Sequence, residues 1–239
     1  MNRNWKTYFT VVLVLIVLSG VSQKVLATDY SAIDLNPSGF DISQAHRTYG
    51  GQQVGYGHGS ASDNNEHALL WNGSAESVVD LNPSGFDRSY ADGISGAQQV
   101  GYGYGSSMGS NFHALLWSGT PESAVDLNPF ECVYSRANGT NGAQQVGYGS
   151  YPTGYGAHAY VWSGSPESAV DLQQFLPNGF VDSTATSIDA QGNIVGFAWD
   201  GNNQYHAILW QPVPEPGTFV MLGMAALSLG FVWWRKRAN

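Results

Sequence analysis

Four copies of one short phrase, spaced at nearly constant intervals, constrain the fold of this chain more than any other feature. The phrase begins with His-Ala and ends with Trp, and successive copies start 46, 45 and 48 residues apart. The copies are His67–Trp71, His113–Trp117, His158–Trp162 and His206–Trp210. A Gln-Gln-Val-Gly phrase, degenerate in the fourth copy, precedes each, and an Ile/Val-Asp-Leu phrase begins at residues 33, 79, 125 and 170. This fixed order indicates a repeat protein in which each copy is one supersecondary unit.

Each copy has the sequence character of β-structure. Its phrases are short and rich in Val, Ile, Tyr and Trp, and clusters of Gly, Asn, Ser and Pro separate them. We predict three clear strands and one weaker strand per copy, the weaker one near residues 90–94 and 186–188. Four strands in about 45 residues is the period of a propeller blade. The sequence therefore predicts an all-β fold, a four-bladed β-propeller over residues 28–211, with copies ending near residues 71, 117, 162 and 210.

The phase of the repeat suggests how such a ring would close. The Asp-Leu phrase occurs once before the first His-Ala phrase, and no match to it follows Trp210. We therefore expect residues 30–35 to supply the missing last strand of the fourth blade. An array with open ends would expose two sheet edges. An open β-solenoid and an eight-bladed ring made by two chains are the competing architectures.

Equivalent histidines and aspartates recur in every copy, and they have two interpretations. They could ring a metal ion, or each pair could form a hydrogen bond across neighbouring strands so that buried polar groups are satisfied. We predict the second, with the tryptophans also structural, no metal, no cofactor and no catalytic residue. Calcium is compatible with the acidic composition but not implied by it. These residues are His67, His113, His158, His206, Asp34, Asp80, Asp126, Asp171, Trp71, Trp117, Trp162 and Trp210.

The charge of the body excludes one class of partner. Residues 28–213 contain three arginines, no lysine and seventeen acidic residues, for a net charge of −14. Such a surface repels phosphate backbones, so we predict no nucleic-acid binding. The single Cys132 rules out an internal disulfide framework and is interpreted as a buried thiol.

Residues that occur in single copies give weaker signals. Tyrosines follow the Gln-Gln strands in stretches that we interpret as Gly-rich loops, a composition suited to binding sugars or other surfaces. They are Tyr56, Tyr102, Tyr104, Tyr148, Tyr151 and Tyr155. Non-repeating acidic residues such as Asp92 are expected in solvated loops. The clearest break in the repeat, Phe130–Val133, is interpreted as drift.

The N-terminus has the pattern of a secretory signal peptide. Arg3 and Lys6 precede an apolar run from Phe9 to Leu18, and a polar stretch then leads to Val25-Leu26-Ala27. Small residues stand at the positions that a signal peptidase reads. We predict a signal peptide over residues 1–27, cleaved after Ala27 by signal peptidase.

The C-terminus has the pattern of a sorting signal. Pro214, Glu215 and Pro216 are followed by an uncharged apolar run over residues 218–234 and then by Arg235, Lys236 and Arg237. Seventeen helical residues would span about 25 Å, slightly under the hydrocarbon core of a bilayer. Residues 212–239 are therefore predicted to form a sorting and transmembrane segment. This segment resembles the PEP-CTERM domain, which implies processing by the membrane protease exosortase. It also implies a Gram-negative producer of exopolysaccharide.

The repeat phrases resemble the HAF repeat family of bacterial extracellular proteins, over residues 30–210. The family's third residue, Phe, is Leu69, Leu115, Tyr160 or Ile208 here. The two resemblances imply an exported protein, anchored transiently in the inner membrane and then placed in the cell envelope or outside the cell. We expect a non-enzymatic surface or matrix protein that binds polysaccharide or another protein, associated with exopolysaccharide or biofilm. A secreted hydrolase or lyase acting on polysaccharide is the alternative.

Overall fold

The computed structural model describes residues 30–106, 109, 111–152, 156–202 and 204–213. The predicted signal peptide and the apolar sorting segment lie outside these residues. The chain divides into two compact units, Met1–Ala32 and Ile33–Asn239. The strands of the described residues lie in the second unit.

Within the described residues, fifteen strands form four antiparallel sheets, and in each sheet the strands lie side by side in chain order. The first three sheets have four strands and the fourth has three. The strands are β1 Ile42–Tyr49, β2 Gln52–His58, β3 Glu66–Trp71, β4 Val79–Asp80, β5 Arg88–Ser95, β6 Gln98–Tyr104, β7 Phe112–Trp117, β8 Val125–Asp126, β9 Tyr134–Thr140, β10 Gln145–Ser150, β11 Ala157–Trp162, β12 Val170–Asp171, β13 Asp182–Ile188, β14 Ile194–Trp199 and β15 Tyr205–Trp210. The predicted all-β class is confirmed. Short 3₁₀ turns connect some strands, and the described residues contain no α-helix.

Local sequence explains the hairpin that opens the first sheet. Tyr49 pairs with Gln52, so the first hairpin has a two-residue loop, Gly50-Gly51. Both glycines have positive φ, +58° and +87°, which suits the turn type whose twist matches the flanking strands. The first strand of every sheet also carries a one-residue bulge opposite the Val-Gly of its partner. The weak strand of the sequence analysis is therefore a regular bulged strand in each copy.

The core consists of apolar clusters between consecutive sheets. Val54 and Leu70 of the first sheet and Leu81, which follows β4, pack against Leu115 and Trp117 of the second sheet. Equivalent positions form the cluster between the second and third sheets and the one between the third and fourth. Each sheet thus needs the next sheet to bury its apolar face, which is the expected behaviour of a repeat array.

One hydrogen bond between sheets recurs at every junction. The backbone N–H of Ala68 in the first sheet donates to Ser89 Oγ of the second sheet at 3.0 Å. The same bond joins Ala114 to Ser135 at 3.0 Å and Ala159 to Ser183 at 2.9 Å. All three serines are fully buried. In the second, third and fourth sheets, the serine of the first strand therefore accepts from a backbone N–H of the preceding sheet that has no partner within that sheet.

Ser135→Ala is expected to lower the free energy of unfolding by about 1–3 kcal/mol, because the buried N–H of Ala114 would lose its acceptor. Ser43→Ala is the matched control. Ser43 occupies the same position in the first sheet, where its hydroxyl donates to Asn36 in an exposed setting. Urea unfolding of the two variants measures the difference. Equal losses would contradict the role given to this bond.

The predicted pairing of residues 30–35 with the fourth sheet is wrong. Residues 30–41 form no strand, and β15 is the last strand of a three-stranded sheet. Leu35 instead packs with Phe40, Leu69 and Trp71 on the first sheet. Because this contact covers the outer face of the first sheet, the N-terminal phrase acts as a cap. The described residues therefore form an open succession of four sheets and do not close a four-bladed propeller.

Candidate functional site

The repeated histidines and aspartates form hydrogen-bonded pairs in the first three sheets. Nδ1 of His67, His113 and His158 lies 2.7, 2.7 and 2.8 Å from Oδ2 of Asp80, Asp126 and Asp171, respectively. Each pair joins the third strand of a sheet to its short fourth strand. The predicted cross-strand hydrogen bonds are thus present in three copies.

In the first two copies the pair belongs to a longer polar path that links consecutive sheets, whereas in the third copy Gln173 Oε1 is buried without a hydrogen-bond partner among the described residues. In the first copy, Asp80 Oδ1 accepts from the N–H of Asn82 at 2.8 Å. Asn82 Oδ1 then accepts from Ser89 Oγ at 2.7 Å. Ser89 Oγ in turn accepts from the backbone N–H of Ala68. Because the polar groups on this path already have hydrogen-bond partners, few of them are free to bind a ligand. Within the residues that the structure describes, no three His, Cys, Asp or Glu side chains are grouped to hold a metal ion.

The fourth copy keeps its histidine but not this path. His206 Nε2 lies 3.8 Å from Asp200 Oδ2, and the His206 side chain is 45% exposed. At the opposite end, Asp34 accepts from the N–H of Asn36 at 2.9 Å but pairs with no histidine among the described residues. The four repeat tryptophans are buried, and Trp210 Nε1 donates to the carbonyl of Leu172 at 3.1 Å.

An aromatic row, here defined as His46, Tyr56, Tyr90, Tyr102, Tyr104, Phe112, Tyr134 and Tyr148, crosses the first three sheets. Each ring in the row contacts another, with centroid distances from 4.7 to 6.5 Å. All of these side chains are half-buried, so one surface of the row reaches solvent. A pocket of about 450 Å³, lined by Arg88, Tyr90 and Tyr104 among others, opens beside it. The row is the largest continuous group of aromatic side chains in the described residues.

A partly buried ion pair lies under the row. Arg136 Nη2 lies 2.9 Å from Asp92 Oδ2, and its Cζ lies 4.4 Å from the centre of the Tyr102 ring. His46 Nδ1 approaches the other carboxylate oxygen at 3.4 Å. Burial raises the pKa of Asp92 above its ordinary value, and the charges of Arg136 and His46 oppose this shift. The prediction that Asp92 lies in a solvated loop is therefore wrong: it is the bulge residue of β5, and its side chain is 12% exposed.

Burial also keeps three phenols of the row, those of Tyr90, Tyr102 and Tyr148, protonated. It raises the pKa of Tyr90 to about 12 and raises the pKa of Tyr102 and Tyr148 in the same direction. Each hydroxyl can therefore both donate and accept a hydrogen bond at neutral pH. Neutral rings with polar tips are chemically suited to the alternating C–H faces and hydroxyls of a sugar.

The break in the third copy is a compensated change of core residues. Cys132 occupies the position of Phe86, and Tyr160 occupies that of Leu115, so a smaller side chain faces a larger one. Cys132 Sγ lies 3.7 Å from the Tyr160 hydroxyl, which lies 2.7 Å from that of Tyr151. Burial raises the pKa of the Cys132 thiol to about 11. This segment conserves volume in the core, as such swaps must to be tolerated, and its thiol stays protonated at neutral pH.

Sequence reasoning placed the tyrosines in loops, whereas Tyr56, Tyr102, Tyr104 and Tyr148 lie on strands β2, β6 and β10. Tyr155 lies outside the described residues. Tyr90, Phe112 and Tyr134 of the row were not singled out at all, since each occupies a position that differs between copies. The alternation of Tyr102 and Tyr104 along one strand was the available signal, because it places both on one face.

The comparison with family models concerns the C-terminus. Its match begins at residue 212 and includes the Pro-Glu-Pro and the basic cluster. Residues 212–237 match the PEP-CTERM protein-sorting motif. The motif marks the protein for export, implies processing by exosortase and supplies a membrane-anchored sorting signal.

Comparisons with curated proteins and with solved structures gave no match. Among the residues described by the structure, no helix has both the length and the apolar character needed to cross a bilayer. The apolar run of the predicted transmembrane segment, residues 218–234, lies outside those residues.

Proposed function

We propose that the exported body is a non-enzymatic protein of the cell surface or extracellular matrix that binds polysaccharide along the aromatic row. The single observation that supports this function is the continuity of the row across three sheets. Rings spaced along several strands can stack against successive sugars of an extended chain, and their neutral hydroxyls can bind the sugar hydroxyls. Repetition of the copies provides the length that an extended ligand requires.

The charge of the body favours a neutral polysaccharide. With a net charge of −14 over residues 28–213, an anionic polymer would be repelled at low ionic strength. The exosortase motif at residues 212–237 and the HAF-like phrases both support a setting at the cell surface, where exopolysaccharide accumulates. Association with biofilm is part of the same proposal.

A secreted hydrolase or lyase is the second candidate, and Asp92 is the observation that favours it. A carboxyl group with a raised pKa beside a sugar-binding surface could act as a general acid. However, Asp92 is occupied by Arg136 at 2.9 Å, and glycoside hydrolysis needs a second carboxylate across the bond. We therefore favour binding without turnover.

The Tyr104→Ala variant tests the proposed function. Tyr104 contacts Tyr90, Tyr102 and Phe112, so its loss interrupts the row. Calorimetric titration of the exported protein with the neutral exopolysaccharide fraction of its producer should show about tenfold weaker binding than wild type, a loss of about 1.4 kcal/mol.

Tyr49→Ala is the matched control, since Tyr49 is an exposed tyrosine at the end of β1 that makes no ring contact with the row. It should bind as wild type does. Binding that is unaffected by Tyr104→Ala would overturn the proposal. Release of new reducing or unsaturated ends by wild type but not by Asp92→Asn would favour the enzyme instead.

A further inference from the structure

One apolar face of the fourth sheet is exposed, whereas the equivalent faces of the other three sheets are buried. Val54, Val100 and Val146 are fully buried against the following sheet, whereas the equivalent Val195 is 46% exposed. Leu70 and Leu116 are buried, and the equivalent Leu209 is 55% exposed. No later sheet follows β15 among the described residues, so this face lacks the cover that the repeat provides elsewhere.

The edge of β15 also lacks its polar partners. At the other junctions, the N–H of the alanine in the His-Ala phrase donates to a serine of the next sheet. The carbonyl of the same alanine accepts from the leucine of the Asp-Leu phrase, as Ala68 does from Leu81 at 2.8 Å. The equivalent Ala207 has neither bond among the described residues, and His206 has no aspartate at Nδ1.

The N-terminal phrase presents the groups that β15 lacks. Ile33 corresponds to Val79, which pairs with Leu70 on β3, yet Ile33 is 65% exposed and pairs with no strand. Asp34 and Asn36 already have the arrangement of Asp80 and Asn82, including the Asn36 bond to Ser43 Oγ at 2.7 Å. Ala45 is exposed, whereas the equivalent Ala91, Ala137 and Ala185 are fully buried.

We infer that β15 of one copy of this chain binds the N-terminal cap, here residues 33–45, of a second copy. The three internal junctions give the template for this contact. Ile33 of the second copy would add as a short strand beside Leu209, by β-strand addition. Asp34 of the second copy would accept from His206, and Ser43 of the second copy would accept from the N–H of Ala207.

Each copy would then offer one end as donor and the other as acceptor. Such head-to-tail contacts generate a closed ring where the rotation closes and an open filament where it does not. The shared charge of −14 in residues 28–213 opposes the contact. Added salt should therefore strengthen the association, because it screens like charges.

A disulfide between two differently tagged full-length chains tests this contact in the producing cells. One chain carries Ile33→Cys and the other carries Leu209→Cys, since their counterparts Val79 and Leu70 are directly paired in the first sheet. Paired residues on adjacent strands lie within reach of a disulfide. Non-reducing electrophoresis should show a dimer that carries both tags. Replacing the Leu209→Cys chain with one that carries Ser163→Cys, an exposed site of the third repeat, should reduce the dimer at least tenfold.

Val195→Asp added to the Leu209→Cys chain should also reduce the dimer at least tenfold, because it places a charge in the contact. Val181→Asp is the matched control, since Val181 is equally exposed at 46% but lies outside the contact. It should leave the dimer unchanged. Absence of the mixed dimer would overturn the inference. A second result would also overturn it. If a single chain that carries both Ile33→Cys and Leu209→Cys forms only an intramolecular disulfide, the two ends of one chain close a ring.

Discussion

Replacing Gly101 with alanine is expected to lower the free energy of unfolding by about 4 kcal/mol or more, the range in which single changes unfold a domain. Gly101 lies on β6 opposite the bulge of β5. A Cβ there would overlap the carbonyl oxygen of Tyr90, which is backbone and cannot move aside as a flexible side chain could. The glycine of the Gln-Gln-Val-Gly phrase has the same surroundings in all four sheets.

Gly119→Ala provides the comparison. Gly119 has φ of +89° but open space around it, so alanine there would meet backbone strain without a clash. A left-handed residue costs about 1–2 kcal/mol. Protein yield and the urea midpoint should therefore separate the two variants clearly. If Gly101→Ala and Gly119→Ala unfold at the same urea concentration, the backbone at the bulge can move to accommodate the added Cβ, and the prediction is wrong.

Arg136→Ala is expected to lower the free energy of unfolding by about 2–4 kcal/mol, because it leaves the Asp92 carboxylate without its closest counter-charge. Breaking a buried ion pair by removing one partner costs about 3–5 kcal/mol. We expect somewhat less here, since the Arg136 side chain is 35% exposed. Arg88→Ala is the matched control: Arg88 pairs with Glu66 at 3.4 Å and is 52% exposed, so its loss should cost less than about 1 kcal/mol.

The stability deficit of Arg136→Ala, meaning its loss in free energy of unfolding relative to wild type, should depend on pH. Because the pKa of Asp92 is raised in the fold, the folded state binds the proton more tightly than the unfolded chain does. Stability then falls as pH rises from the ordinary value of 3.8 through the raised pKa. Loss of Arg136 raises that pKa further, so the deficit should be larger at pH 8 than at pH 5. Urea unfolding at both values measures it, and a deficit as small as that of Arg88→Ala would contradict this role.

The strands of each copy could be predicted from the sequence because local pattern determines them. Short β-rich phrases between Gly and Asn clusters gave the second and third strands of every sheet, and the His-Asp spacing gave the hydrogen bond between His67 and Asp80. The bulge of each first strand could not be predicted. It depends on the close approach of Gly55 and its equivalents to the neighbouring backbone, which only the paired register reveals.

Ring closure could not be decided from the sequence, because one phrase can serve two purposes. The Asp-Leu phrase at residues 33–36 could complete a fourth sheet or cover the first one, and its residues suit both. Packing on the first sheet does not decide between them, since Leu81 packs against Leu115 and Trp117 while Val79 of the same phrase pairs with Leu70 of the preceding sheet. In the structure Leu35 packs against Leu69 and Trp71, and residues 33–36 pair with no strand among the described residues. The outcome depends on the rotation between successive sheets, which no phrase encodes by itself.

The aromatic row escaped prediction for a related reason. Tyr56, Tyr102 and Tyr148 share one repeat position, but Tyr90, Phe112 and Tyr134 come from three other positions on different strands. Some of these contacts, such as Tyr56 with Tyr90 and Phe112 with Tyr134, form only where consecutive sheets meet. Periodicity identifies residues that recur between copies, whereas at least half of this surface is made by residues that do not recur.

Oxidative footprinting of the tyrosines, with and without the neutral exopolysaccharide, tests the binding surface most directly. Mass spectrometry of the exported protein should show protection of Tyr56, Tyr90 and Tyr104 on adding the polymer. Tyr49 and Tyr205, which lie outside the row and are exposed, should keep their reactivity. Protection of Tyr49 and Tyr205 with unchanged labelling of the row would contradict the account.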